Sequence, residues 1–438
     1  MGFQDSPRPT VAPCSRQPAR TPLARRARAA LDCWSKSGVY SRLVEPIGSV
    51  ILKPFERLLR IDLPPRQSAF LWGPRKAGKS TYLQTAFPAA VTFDLLQTDL
   101  MLDLTKRPAL LRERILALPP ARRKASPVVI DEIQKVPALL DEVHWLIEHE
   151  HVRFVLCGSS ARKVTRGGTN LLGGRAWRFE MHPLVSEEVG DLDLLRALNR
   201  GLLPGHYLDE HYRRSLDAYV RDYLREEVFN EGLTRNVPAF ARFFEAMGYS
   251  HGELTNYANI ARDCGVDAKT VKEYYQILVD TLLGTFVEPY ARRQDRQVIT
   301  KASRFYLFDV GVAGALTKRR LAEPRGEAFG RALEHLILME LLAHRSYRSL
   351  HYDVRFWRTK SGLEIDFVLG DGEVAVEVKG SSRVDDRDLR PLLTFHDLCR
   401  PRKVIVVCTE PSPRRKDGVD LLPWREFLAR LWAGEILS

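Results

Sequence analysis

Cysteine is scarce and scattered: six in 438 residues (Cys14, Cys33, Cys157, Cys264, Cys399 and Cys408), with no C-x-x-C pair among them. That spacing argues against a zinc site and a disulfide framework, and it suits a reducing cytoplasm, where the chain is expected. No apolar run approaches the roughly 20 residues that a membrane-spanning helix needs, so no membrane partner is expected. No motif repeats. Acidic residues are in deficit, 55 against 67 basic ones, and the resulting charge of +12 favours a polyanionic partner. Part of that excess sits in the first 37 residues, which are rich in Arg, Pro, Ser and Ala and include Arg16, Arg20, Arg25, Arg26 and Arg28. With little to bury, residues 1–44 read as a disordered tail. The tail has no apolar segment of the secretory kind, and it leaves a transit peptide and an over-long gene start equally open.

The remaining length predicts two or three domains. From Val50 to Leu59 the spacing of Val50, Leu52, Phe55, Leu58 and Leu59 predicts an amphipathic helix. The apolar run Ala69-Phe70-Leu71-Trp72 then leads into Gly73-Pro74-Arg75-Lys76-Ala77-Gly78-Lys79-Ser80, followed by Thr81. Strand, glycine-flanked loop and helix in this order let backbone N–H groups wrap a β-phosphate. Lys79 reaches the β/γ oxygens, Ser80 offers its hydroxyl to Mg²⁺, and the helix dipole adds to the anion site. Downstream, Pro127-Val128-Val129-Ile130-Asp131-Glu132 is a buried-strand run ending in two carboxylates. Such a pair suits ATP hydrolysis: Asp131 holds Mg²⁺ through its shell, and Glu132 polarises the attacking water.

Ala90–Asp94 reads as a second strand, Pro108–Leu118 and Leu139–Glu148 as helices, and Val152–Gly158 as a strand ending in Ser159 and Ser160. The alternation predicts a doubly wound parallel sheet. Ser159 or Ser160 is a candidate γ-phosphate sensor, and a plain strand-end turn explains the serines equally well. Arg175, after Gly173-Gly174, is a candidate arginine finger of the kind a neighbouring subunit supplies, which implies a homo-oligomer.

Together GPRKAGKST, VVIDEIQKVP, VLCGSSARK and GGRAWRFEMHPL resemble the bacterial AAA-type ATPases that carry a C-terminal domain of unknown function. The resemblance covers roughly residues 45 to 410. Trp72, Ser80 and the second glycine before Arg175 depart from the family's usual residues without touching nucleotide binding.

A helix-poor linker is expected around Gly201–Gly205, then a helix over Tyr219–Phe229. The stretch Glu253–Tyr275 reads as helix, glycine turn, helix, for which the resemblance implies a winged helix. Its second helix mixes Lys269, Lys272 and Gln276 with Glu273 and Asp280, so DNA reading and protein packing are both open there. Further on, Glu334 lies in an apolar helix and Asp366 in the strand Leu363–Leu369. Glu377-Val378-Lys379 ends the strand Val374–Glu377, and Val404–Cys408 supplies another strand. The order helix, three strands, helix, strand, with an Asp and a Glu-x-Lys, resembles the PD-(D/E)XK restriction-endonuclease-like superfamily. Residues two apart on a strand share a face, so Glu377 and Lys379 converge. Asp366 and Glu377, with Glu334 as a further candidate, would hold Mg²⁺, and Lys379 would stabilise or activate the water that attacks a phosphodiester.

The sequence therefore predicts an α/β chain: an ATPase domain over 45–205, a helical winged-helix-like region over 206–324, and a restriction-endonuclease-like domain over 325–438. ATP, Mg²⁺ and DNA are the expected ligands. The rival reading keeps the ATPase as a switch and makes the C-terminal region an inactive binding module. A pure DNA-binding regulator, resting on Lys269 and Lys272, is a third.

Overall fold

Five short strands form the first sheet: β1 (Ser68–Trp72), β2 (Thr92–Asp94), β3 (Val128–Asp131), β4 (Phe154–Gly158) and β5 (Ala176–Glu180). Their order is β2-β3-β4-β1-β5, and every pair is parallel. The computed structural model describes residues 55–160, 162, 172–223, 236–291 and 302–437. The basic tail, residues 50–54 of the first expected helix and residues 224–229 of the Tyr219–Phe229 helix lie outside them.

β1, β3 and β4 are buried at every position, as central strands of a parallel sheet covered on both faces must be. Side chains alternate. Ala69, Leu71, Val129, Val155 and Cys157 share one core with Phe240, Phe243, Tyr274 and Tyr275 from the middle of the chain. Phe70, Trp72, Val128, Ile130 and Leu156 meet Leu139, Val143 and Leu146 of the helix Leu139–Glu150 on the other side. This arrangement sets the carboxyl ends of β1 and β3 on either side of β4, and the loops that leave these three strands come together there.

Two expectations are corrected. Residues 55–59 are irregular rather than helical: Phe55, Leu58 and Leu59 pack into three different clusters, which no single helix face can reach. The passage around Gly201–Gly205 is no loose linker. It joins the helices Leu194–Arg200 and Pro204–Leu208, Leu202 and Leu203 are buried, and the fully buried Asp309 carboxylate accepts from Leu202 N at 2.7 Å.

In the middle region the helix Val237–Tyr249 precedes Tyr257–Cys264 and Ala268–Asp280, capped by Asn256 and Asp267. The antiparallel pair β6 (Gly284–Pro289) and β7 (Arg304–Leu307) follows. It continues into a mixed eight-stranded sheet with β8 (Val354–Arg358), β9 (Glu364–Leu369), β10 (Val374–Val378), β11 (Lys403–Cys408), β12 (Arg414–Lys416) and β13 (Val419–Pro423), in the order β12-β13-β11-β10-β9-β8-β6-β7. A long helix, Glu327–Tyr347, covers one face through Leu333, Leu336 and Ile337, packed with Phe356, Phe367, Val376 and Ile405. The helix Asp386–Cys399 covers the other through Leu392 and Phe395. Among the described residues no helix is long and apolar enough to cross a membrane.

Candidate active site

The loop Gly73–Gly78 leaves β1 and turns into the helix Lys79–Ala86. Gly78 takes φ +96°, a left-handed value that a Cβ would oppose. Lys79 is buried, and its Nζ donates to the carbonyls of Gly73 (2.8 Å) and Pro74 (3.0 Å), which keeps the ammonium inside the loop. Around it, Tyr219 OH donates to Arg75 O at 3.2 Å, and Lys76 lies 3.4 Å from His206 Nε2. Burial and the Lys76 charge push the His206 imidazole down to about 4, so it stays neutral at pH 7.

The hydroxyl of Ser80 donates to Asp131 Oδ2 at 2.6 Å, across from the end of β3. A hydroxyl and a carboxylate in contact beside a phosphate loop fit a hard divalent cation that keeps several waters, so Ser80 and Asp131 are the residues that would hold Mg²⁺. Asp131 also accepts the N–H of Glu132 at 3.0 Å. Glu132 sits in the left-handed region at φ +61°, a conformation that costs about 1–3 kcal/mol and that the surrounding contacts must maintain. Burial raises its carboxyl above the ordinary range, Asp131 adds to this, and Lys79 and Arg75 oppose it. A raised proton affinity makes a carboxylate a better base.

Gln134 was not singled out by the sequence, yet it completes this end of the sheet. Its Nε2 donates to Glu132 Oε2 at 2.5 Å and to Ser159 Oγ at 3.1 Å, which joins the ends of β3 and β4. The signal was its place two residues after Glu132, with an amide where the strand-end turn continues. Lys79, Ser80, Asp131, Glu132 and Ser159 are thus brought together, with Thr81 the third residue of the helix.

Arg175 is placed elsewhere. It precedes β5 at the amino end of the sheet, where its carbonyl accepts from Ser68 N at 3.0 Å and its Nε pairs with Glu148. The full length of β1, about 15 Å at 3.3 Å per residue, separates it from the loop of its own chain.

A second cluster forms where β7, β9, β10 and the long helix meet. Asp366 Oδ2 accepts from Val378 N at 2.8 Å, Glu377 Oε2 accepts from Asp366 N at 3.3 Å, and Lys379 Nζ lies 2.7 Å from Glu377 Oε1. Glu377 and Lys379 do converge beside Asp366. Glu334 instead faces Arg304, a buried cation on β7 whose Nη1 lies 3.4 Å from Glu334 Oε1 and 3.8 Å from Asp366 Oδ1, and whose Nη2 pairs with Glu364. Tyr306 donates to Glu334 as well. Burial raises the carboxyls of Asp366, Glu377 and Glu334, with Asp366 adding to the other two.

Among the described residues no group of three His, Cys, Asp or Glu side chains is arranged to hold a metal ion. The carboxylates expected to do so already satisfy a guanidinium, an ammonium and backbone N–H groups, so as they stand they do not fit one. Arg304 had a visible signal, a lone charge opening the apolar strand Arg304-Phe305-Tyr306-Leu307.

Compared with known proteins, residues 65–190 match the family model described as an AAA domain. The match takes in the loop Gly73–Gly78 and all five strands of the first sheet. Beyond it, residues 191–323 and 329–427 match two models described as domains of unknown function (DUF8612 and DUF4143). An uncharacterized protein of Mycobacterium bovis and one of Mycobacterium tuberculosis are each 27% identical over 393 residues, 87% of this chain and 85% of theirs. Among solved structures, a signal transduction ATPase with numerous domains (STAND) from Pyrococcus horikoshii, with a tetratricopeptide repeat sensor, aligns over 65% of this chain at 13% identity and a TM-score of 0.18. The chain spans 47% of that protein, and a likeness so slight carries no assignment.

Proposed function

We propose that this chain binds and hydrolyses Mg·ATP in its AAA domain and uses the cycle as a switch on its C-terminal region. The observation that carries the reading is the meeting of Lys79, Ser80, Asp131, Glu132, Gln134 and Ser159 at the carboxyl ends of β1, β3 and β4. The amides of Gly73 to Ser80 cradle the phosphates, Lys79 neutralises the β/γ oxygens, and Ser80 with Asp131 holds Mg²⁺. When bound, the cation supplies charge neutralisation on the phosphate oxygens. Glu132 takes the proton from the attacking water, Gln134 fixes the angle of the Glu132 carboxylate, and Ser159 sits where the γ-phosphate is sensed. Arg175 acts on the nucleotide of a neighbouring copy, which requires a homo-oligomer.

The organisation proposed is an ATPase domain over 45–205, a winged-helix-like region over 206–324 and a restriction-endonuclease-like domain over 325–438, in a cytoplasmic protein. DNA is the proposed partner of the last two. Two readings of the C-terminal region compete: metal-dependent cleavage of DNA through Asp366, Glu377 and Lys379, or a nuclease-like fold kept for binding. Arg304 favours the second, because a guanidinium sits among the carboxylates a metal would need.

A fluorescent ATP analogue titrated into the full chain, with plasmid added under ATP and Mn²⁺, tests both parts. The wild type is expected to bind the analogue, Lys79→Ala to lose it, and the plasmid to stay intact. Equal binding by Lys79→Ala overturns the ATP reading, and cutting that Asp366→Asn abolishes restores the nuclease.

A further inference from the structure

We propose that Arg57 positions the phosphate loop and couples it to the long helix of the C-terminal region through one buried guanidinium. The inference rests on the ATP reading and deepens it. An arginine offers five donors in a planar fork. Arg57, 8% exposed, spends them on three separate parts of the chain. Its Nη1 donates to Ala77 O at 2.7 Å, inside the phosphate loop. Its Nε donates to Glu188 Oε1 at 3.0 Å. Its Nη2 donates to His182 O at 2.6 Å and to Tyr347 OH at 2.9 Å, at the last residue of the long helix.

The partners close on one another. The Tyr347 hydroxyl accepts from His182 N at 3.1 Å, and Glu188, whose side chain is fully enclosed, accepts from Leu58 N at 2.7 Å and Val185 N at 3.2 Å. Glu340, about two helical turns before Tyr347, ties the same segment by accepting from Ser186 N at 2.7 Å and Trp432 Nε1 at 2.7 Å.

Two consequences follow from geometry. A peptide group is planar and trans, so its C=O and N–H point in opposite directions. By holding Ala77 O, Arg57 aims the N–H of Gly78 away from itself, and the amides of this loop are what bind phosphate. Beyond the loop, a cavity of about 280 Å³ lies between Gly73 and Pro74 on one side and Leu338, Leu342 and Arg345 on the other. Beside that cavity the guanidinium spans from the loop to the helix end directly. Coupling of this kind is reciprocal: whatever nucleotide does to the end of the helix, the helix does to nucleotide affinity.

The test uses the full chain as wild type, Arg57→Lys, Tyr347→Phe, the double variant and Lys79→Ala. Affinity for a fluorescent ATP analogue is measured, along with amide hydrogen exchange of the segment 340–347 with and without Mg·ATP. Tyr347→Phe touches no nucleotide and loses one hydroxyl, and Arg57→Lys keeps the charge without the fork, so folding is retained and is checked by the thermal midpoint. Each single variant is expected to bind the analogue about fivefold to tenfold more weakly. In each, Mg·ATP should no longer slow exchange in 340–347 as it does in the wild type. The double variant should be no weaker than Arg57→Lys by more than about twofold, since both act through one link. Wild-type affinity in Tyr347→Phe together with ATP-dependent protection of 340–347 in Arg57→Lys overturns the coupling while leaving the ATP reading intact. A wild type that binds the analogue no better than Lys79→Ala overturns the ATP reading and the coupling with it.

Discussion

Replacing Arg304 with methionine tests whether the C-terminal acids are held by an internal cation. Arg304 is 4% exposed and faces Glu334, Glu364 and Asp366, with its guanidinium 4.7 Å from the Phe356 ring centre. Methionine has a similar reach and keeps contact with the ring, so the change isolates the charge. Removing one member of a buried ion pair leaves an uncompensated charge and costs about 3–5 kcal/mol. The sign of the pH dependence follows from burial, which lifts Glu334 to about 7 already. Without the guanidinium the carboxyls rise further, so the variant takes up protons on folding as pH falls, and the cost shrinks. Urea unfolding should show Arg304→Met about 3–5 kcal/mol less stable at pH 8 and less than about 2 kcal/mol at pH 5.5. Calorimetry without nucleotide should show Mn²⁺ binding to the variant in excess of that to the wild type at the same concentration. Equal stability of the two proteins at both pH values would refute the argument.

Three further outcomes are expected. Burial holds the Glu340 carboxyl up at about 7, so its contribution to stability is present at low pH and is lost as pH rises from about 4.5 through 7. Glu340→Gln should therefore flatten the fall in unfolding free energy between pH 5 and 8 by about 3 kcal/mol, and an unchanged slope counts against the assignment. A Cβ at Gly158 would lie 2.2 Å from Gln134 Oε1 and 2.8 Å from the Trp72 ring, so Gly158→Ala should displace Gln134 and lower kcat about tenfold or more with ATP affinity within about threefold. Equal effects on both would mean that Gln134 serves only the fold. If Arg175 acts in trans, ATPase activity per chain should rise with protein concentration, and Arg175→Ala mixed with Glu132→Gln should recover part of the turnover; a rate independent of concentration in a monomer excludes the finger.

The phosphate loop and the carboxylate pair were legible because their chemistry is local. Phosphate binding needs consecutive amides, and a strand ending in Asp131-Glu132 carries its own signature. Asp366, Glu377 and Lys379 were visible for a related reason, as charges interrupting apolar strands. The residues that decide how these sites are held were not. Arg57 meets Glu188 and Tyr347 across 131 and 290 residues of chain, and no short pattern encodes such a meeting. The amphipathic spacing of Phe55, Leu58 and Leu59 even pointed to a helix. Tertiary packing overrode it, since each apolar side chain found a different core. Arg304 sets an internal cation beside Glu334, Glu364 and Asp366, which favours the binding reading of the C-terminal region, and the pairing of β6 with both β7 and β8 brings it there.

The central claim is that Lys79 binds the nucleotide and Glu132 activates the water. Phosphate release from ATP by the purified full chain, measured beside nucleotide binding for the wild type, Lys79→Ala and Glu132→Gln, tests it most directly. The account predicts that Lys79→Ala neither binds nor hydrolyses, while Glu132→Gln binds as the wild type does and hydrolyses at least about a hundredfold more slowly. Hydrolysis by Glu132→Gln at the wild-type rate would contradict it.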